Sequence, residues 1–179
     1  MFIMMQLFDT HTHLYLKQFE EDQENVINSA IELGVKKMIL PNIDSISIHP
    51  LLEICEKYPD NCYPALGLHP SSVKKNYISE LQVIEEWLNK INVCAIGEIG
   101  IDLYWDKSFI EEQTKAFNHQ IELALKNNLP IIIHMRESFN NIIDVLKTVS
   151  SEKELDNKSS CNFKPPEIIN SIFNKYVIK

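Results

Sequence analysis

Five short apolar runs alternate along the chain with five longer stretches whose apolar residues recur at helical spacing. The runs at 3–8, 36–40, 62–68, 93–97 and 129–133 read as strands. Their ends fall roughly 30 residues apart, the length of one strand–helix–strand unit. Pro130-Ile131-Ile132-Ile133 is apolar without alternation, which predicts a parallel strand buried on both faces.

The intervening helices have readable ends and inner faces. The first is predicted over 19–33, with Val26, Ala30 and Leu33 as its apolar stripe and Gly34 as its stop. The second covers 47–57 and buries Leu51, Leu52 and Cys55. The third begins at Ser79, with Gln82 completing a capping box and Leu81, Ile84, Trp87 and Leu88 facing inward. The fourth spans 109–127 with Phe117, Ile121, Ala124 and Leu125 inside. The fifth follows Ser138 and buries Ile142, Ile143 and Leu146.

The alternation ends near Val149. Residues 150–162 are polar and mixed in charge and read as a linker. Lys164-Pro165-Pro166-Glu167 is predicted to open a short helix with Ile168, Ile169, Ile172, Phe173 and Tyr176 on one face, covering exposed core. The expected organisation is therefore a (β/α) unit over 1–149 and a divergent linker and helix over 150–179.

A chain of 179 residues fits one domain. A closed (β/α)8 barrel typically takes about 250 residues. The expected fold class is thus α/β, TIM-barrel-like, an incomplete barrel of about five βα units. Hydrophobic and charged contents of 45% and 23% are those of a soluble globular protein. The net charge of -8 supplies no global attraction for nucleic acid, so such a partner needs a local positive patch or bound cations. Cys55, Cys62, Cys94 and Cys161 show no Cys-x-x-Cys spacing and suit a reducing, cytoplasmic compartment. Residues 1–8 are apolar but lack a basic leader, so they read as a strand and not a signal peptide. No apolar stretch is long enough to span a bilayer.

Chemistry gathers at the strand ends. Asp9-Thr10-His11-Thr12-His13 follows the first strand, and residues two apart on an extended strand face the same way. His11 and His13 would then aim both imidazoles at one point, a good start for a transition-metal site, with Asp9 on the same side while the strand lasts. Asn42 follows the second strand, His69 the third, Glu98 the fourth, and His134 and Arg136 the fifth. Of six His, four fall at these ends, where parallel α/β folds build their sites.

Glu98 sits between Gly97 and Gly100, and its two oxygens could bridge a pair of cations; the alternative is a glutamate that caps a turn. Arg136 is the only arginine and could grip a phosphate through two parallel hydrogen bonds, or pair on the surface with Glu137. His69 reads as a phosphate contact, a residue that orients a ligand, or a satisfied structural histidine. Tyr104 and Trp105 read as packing residues or as a stacking surface for bases. His49 and His119 lie on predicted helices, away from these ends.

The segments Asp9-Thr-His-Thr-His13, Gly67-Leu-His-Pro70, Ala95-Ile-Gly-Glu-Ile-Gly-Ile-Asp102, Gln113 with Phe117 and Gln120, and Leu129 through Ser138 together resemble the TatD family of metal-dependent deoxyribonucleases. The resemblance covers residues 5–149 and implies a TIM-barrel fold, two divalent cations (Mg, Mn or Zn) and hydrolysis of DNA phosphodiesters. It implies His11, His13 and Glu98 as ligands of one cation, and Glu98 with His134 as ligands of the second. Glu98 becomes the bridging catalytic carboxylate, with His69 and Arg136 as substrate contacts.

The chain departs from the family pattern after the fifth unit. The family's later His-Cys-Phe and Thr-Asp-x-Pro segments, which supply a further histidine and an aspartate, are not found here. The expectation is a shortened polypeptide with an open sheet edge, weakened metal affinity and little or no hydrolysis. Two other readings remain: an inactive fragment that binds a metal or a partner through its edge, and a hydrolase of small phosphoesters or amides on the same scaffold.

Overall fold

The computed structural model describes residues 6–156, with side chains through 150. The predicted last helix, Cys161 and the first half of the predicted first strand lie outside the described residues.

Five parallel strands form one sheet in the order β1 (Leu7–Asp9), β2 (Val35–Pro41), β3 (Cys62–Leu66), β4 (Ala95–Asp102) and β5 (Ile131–Arg136). Helices α1 (Gln23–Glu32), α2 (Ile48–Lys57), α3 (Tyr77–Leu88), α4 (Ile110–Lys126) and α5 (Phe139–Asp156) connect or follow them. Sequential order with a helix after every strand is the winding of a (β/α) barrel, here a curled half-barrel. No helix among the described residues is long and apolar enough to cross a membrane.

The core follows the chain's units. Ile27, Met38, Leu40, Leu51 and Ile54 join the first helices to β2. Leu66, Leu68, Leu81 and Ile84 form a middle cluster. Ile96, Ile99, Ile101, Phe117, Ile121 and Ile142 lock α4 and α5 against β4. Burying large aliphatic side chains such as these contributes about 1.5–3 kcal/mol each.

Several boundaries differ from the pattern. Strand β4 continues past Gly97 to Asp102, so Glu98 lies inside the strand and not after it. His134 and Arg136 likewise belong to β5. Helix α5 runs to Asp156, beyond the predicted stop near Val149, since polar residues continue a helix wherever its backbone bonds remain local. Leu33 is not part of the α1 stripe but 80% exposed, whereas Ile27 is fully buried. Leu33 is the C-cap of the helix, just before the chain turns at the buried Gly34 (φ +101°) into β2. Helix α3 starts at Tyr77, with the Asn76 carbonyl accepting from the Ser79 hydroxyl, so the predicted capping box does not form. Ile131 to Ile133 are only half-buried, because β5 has a single sheet neighbour among the described residues.

Gly100 sets the closeness of β4 and β5. Its φ is +146°, and a Cβ there would run into the His134 carbonyl. The two backbones meet at a spacing that no side chain permits at this position.

Candidate metal centre

The segment after β1 is pinned to the next strand by a hydrogen bond from the Thr12 amide to the Ile39 carbonyl. It carries His11 and His13 across the carboxyl end of the sheet. The strand itself stops at Asp9, whose carboxylate accepts from the His11 amide at 3.1 Å. Asp9 therefore shapes the turn and does not join the imidazoles.

Glu98 is the hub. Its Oε2 lies 3.1 Å from His11 Nε2, 3.7 Å from His13 Nε2 and 3.7 Å from His69 Nε2. Its Oε1 lies 3.1 Å from His134 Nδ1. Two groups of side chains of metal-binding type gather on it: His11, His13 and Glu98, and His69, Glu98 and His134. Both use Glu98, so the carboxylate stands between them.

The surrounding hydrogen bonds decide which ring nitrogens are free to donate a lone pair. The Tyr15 hydroxyl donates to the Pro41 carbonyl at 2.6 Å, and His13 Nδ1 lies 2.8 Å from that hydroxyl and 3.0 Å from the same carbonyl. His13 must then donate from Nδ1, which leaves its Nε2 lone pair facing His11 and Glu98. Burial raises the Tyr15 phenol, and the Asp44 and Glu98 charges add to it, so it stays a donor. His13 Nε2 lies 3.0 Å from His11 Nε2, two nitrogens converging on one point. A donor set of two imidazoles and a carboxylate fits a divalent transition metal.

His69 is arranged differently. Its Nδ1 accepts from the Ser71 amide at 3.1 Å, so the neutral ring carries its hydrogen on Nε2, toward Glu98 and His134. Burial drives its pKa down to about 4, against the pull of the Glu98 charge, so the ring is neutral near pH 7. His69 thus presents a donor to the centre.

His134 is held from both sides. Its Nε2 lies 2.9 Å from Asp102 Oδ2, and its Nδ1 faces Glu98. Burial alone lowers its pKa, but the hydrogen bonds and charges of Glu98 and Asp102 outweigh that and raise it. For Glu98, burial pushes the carboxyl up, yet the imidazoles of His11, His13 and His134 around it hold it well below the usual carboxylate range.

The backbone around the centre is fixed by buried amides. Asn42, fully buried, donates to the Asp44 carbonyl and accepts from the Gly67 amide, tying the ends of β2 and β3. Gln120 on α4 accepts from the Leu68 amide at 2.6 Å and donates to the Leu68 carbonyl at 3.3 Å. Gln113, two turns earlier on the same face, accepts from the Asp102 amide at 2.8 Å and donates to its carbonyl at 3.3 Å. One helix face thus registers the residues beside His69 and His134.

The structure brings His11, His13, His69, Glu98 and His134 together. Arg136 is not among these: its guanidinium stacks on Tyr104, 3.7 Å from the ring centre, and no ion pair with Glu137 is found among the described residues. His49 and His119 pack against Trp87 and Glu85, away from the centre. Cys55 and Cys62 are buried free thiols, pushed up by burial to about 12 and about 11. Cys94 is also free but only half-buried. Sequence reasoning passed over Asp102 and Tyr15 as parts of the site. Asp102 ends the segment Ala95–Asp102, and its spacing two residues past Gly100 on a strand was the available signal. Tyr15, two residues past His13, carried no signal that separates it from core.

The chain resembles known proteins over most of its length. The family model described as TatD related DNase matches residues 8–157. A Bacillus subtilis (strain 168) protein described as an uncharacterized metal-dependent hydrolase, YabD, is 38% identical over 146 residues, covering 82% of this chain and 57% of that protein. A protein of Erwinia tasmaniensis described as the 3'-5' ssDNA/RNA exonuclease TatD is 30% identical, covering 79% of this chain and 54% of that protein. The crystal structure of YjjV, a TatD homologue from Escherichia coli K12, superposes with a TM-score of 0.74 at 32% identity, covering 82% of this chain and 57% of that one. The chain thus spans little more than half the length of the relatives it matches. With the family model matching residues 8–157 of its 179, the chain belongs to the TatD-related DNase family.

Proposed function

We propose that this chain is the metal-binding part of a hydrolase that cleaves phosphodiester bonds in single-stranded nucleic acid, using two divalent cations. The observation that carries the reading is the placement of Glu98, one oxygen toward His11 and His13 and the other toward His134. A buried carboxylate with imidazoles on both of its oxygens would suit a site for two divalent cations. The nuclease description of the Erwinia relative favours nucleic acid as the substrate.

In this reading His11 and His13 would hold one cation through Nε2 and His134 the second, with the Glu98 carboxylate available to both. Cations held there would supply Lewis acidity to the phosphoryl group and to water. The protein's own groups do the rest. Asp102 keeps His134 oriented, and the Pro41 carbonyl and Tyr15 keep His13 in its tautomer. His69 donates from Nε2 to a substrate oxygen, with Ser71 holding the ring. The bound cations also offset the chain's net charge of -8 for an anionic substrate.

The test is turnover by the purified chain on single-stranded DNA, RNA, a phosphomonoester and a dipeptide, after metal removal and after adding Mg²⁺, Mn²⁺ or Zn²⁺. At most weak, metal-restored cleavage of the nucleic acids, absent in Glu98→Ala, is expected, because the later histidine and aspartate segments of the family are not found in this sequence. Hydrolysis confined to the dipeptide or the phosphomonoester overturns the substrate class. Absence of bound metal in the purified, metal-treated chain overturns the centre itself.

A further inference from the structure

Beside the histidine–glutamate cluster lies an exposed aromatic and cationic platform that the hydrolytic chemistry does not use. Trp105 is 74% exposed and Tyr104 48%, and their rings meet edge-on at 4.6 Å. The Arg136 guanidinium lies 3.7 Å from the centre of the Tyr104 ring and 5.3 Å from that of Trp105. Stacking on Tyr104 holds the guanidinium in one plane, which prepares its fork for an anion. Most of the Trp105 ring faces solvent.

The platform is coupled to the centre through one side chain. Asp102 uses Oδ2 to hold His134 and Oδ1 to accept from the Tyr104 amide at 2.9 Å. The Trp105 amide also donates to Asp102. The Leu103 amide donates to the Arg136 carbonyl at 2.9 Å, tying the aromatic turn to β5. The turn bearing both aromatics is therefore anchored to the residue that orients a proposed ligand, and not to a loose loop. A ring with an open face, next to a preorganised cation and next to a phosphoester-cleaving centre, has the chemistry of a nucleotide subsite.

We propose that Trp105 stacks on a base of the single-stranded substrate while Arg136, held on Tyr104, binds a neighbouring phosphate. This rests on the reading of the substrate as nucleic acid. It adds a subsite that prefers bases over bare phosphodiesters and that sets where the strand lies relative to Glu98. The stacking is indifferent to base identity, because every base offers an aromatic face.

The test measures binding of two single-stranded oligomers of equal length and charge to the full chain in Mg²⁺. One is a phosphorothioate oligothymidylate, chosen to resist cleavage, and the other its abasic counterpart. Trp105→Ala is expected to weaken oligothymidylate binding roughly 5-fold or more, with Trp105→Phe keeping most of the affinity and neither changing abasic binding. Arg136→Ala is expected to weaken both oligomers. The side chains are exposed, so circular dichroism should show folded variants. Equal binding of oligothymidylate by Trp105→Ala and the unmodified chain, or equal losses for both oligomers, overturns the subsite. If DNA is still cleaved in that case, the nuclease reading stands without it. If the unmodified chain neither binds an oligomer nor cleaves DNA, both fall together.

Discussion

His134 Nε2 lies 2.9 Å from Asp102 Oδ2, and that contact decides which nitrogen His134 turns toward Glu98. A carboxylate behind an imidazole fixes the ring and makes its other nitrogen a stronger ligand. Asp102→Asn keeps the shape but weakens this hold. It is expected to lower metal affinity about 10- to 100-fold, as is usual for such partners. Calorimetric titration with Mn²⁺ or Zn²⁺ checks this. Unchanged affinity would show that Asp102 serves only the turn at Tyr104.

His69 separates ligand from donor. With the Ser71 amide on Nδ1, its Nε2 carries hydrogen and does not offer a lone pair. His69→Gln should leave the affinity for metal within a few-fold while lowering kcat on single-stranded DNA about 100-fold or more, the range for losing one oriented donor. A fall in metal affinity equal to that of His134→Ala would make His69 a ligand instead.

The Glu98 carboxyl titrates well below its ordinary value of 4.5 in the metal-free fold. A carboxyl depressed on folding contributes stability above its unfolded value, and that stability is lost as pH falls toward the folded one. Metal-free chain is therefore expected to lose stability as pH drops below about 4.5. In Glu98→Gln that part of the acid loss should disappear. Urea unfolding at a series of pH values reads the difference, and parallel curves for the two proteins would contradict it.

Gln120 holds both the amide and the carbonyl of Leu68 inside the core. Gln120→Leu keeps the bulk but strands two buried backbone groups, each at a cost of about 1–3 kcal/mol. Urea denaturation should show the loss, and metal affinity should fall less than in Asp102→Asn, because no ligand is released. Gln120→Glu, which keeps an acceptor for the Leu68 amide, should recover part of the stability.

What the sequence determined by itself was the order of five strand–helix units and the identity of the groups at the carboxyl ends. Hydrophobic period and strand-end placement are local properties, so His11, His13, Glu98 and His134 were legible before any coordinates. Only tertiary structure could decide the rest. Whether Glu98 lies within β4 or after it depends on pairing with β5, made close by Gly100 against the His134 carbonyl. The partners of each ring nitrogen come from residues far along the chain, as Pro41 for His13 and Asp102 for His134. Leu33 had the helical spacing of a core residue, but it falls at the helix C-cap and stands in solvent. Spacing along a chain says which face a residue shares, whereas hydrogen-bond direction and burial depend on what the folded sheet sets against that face.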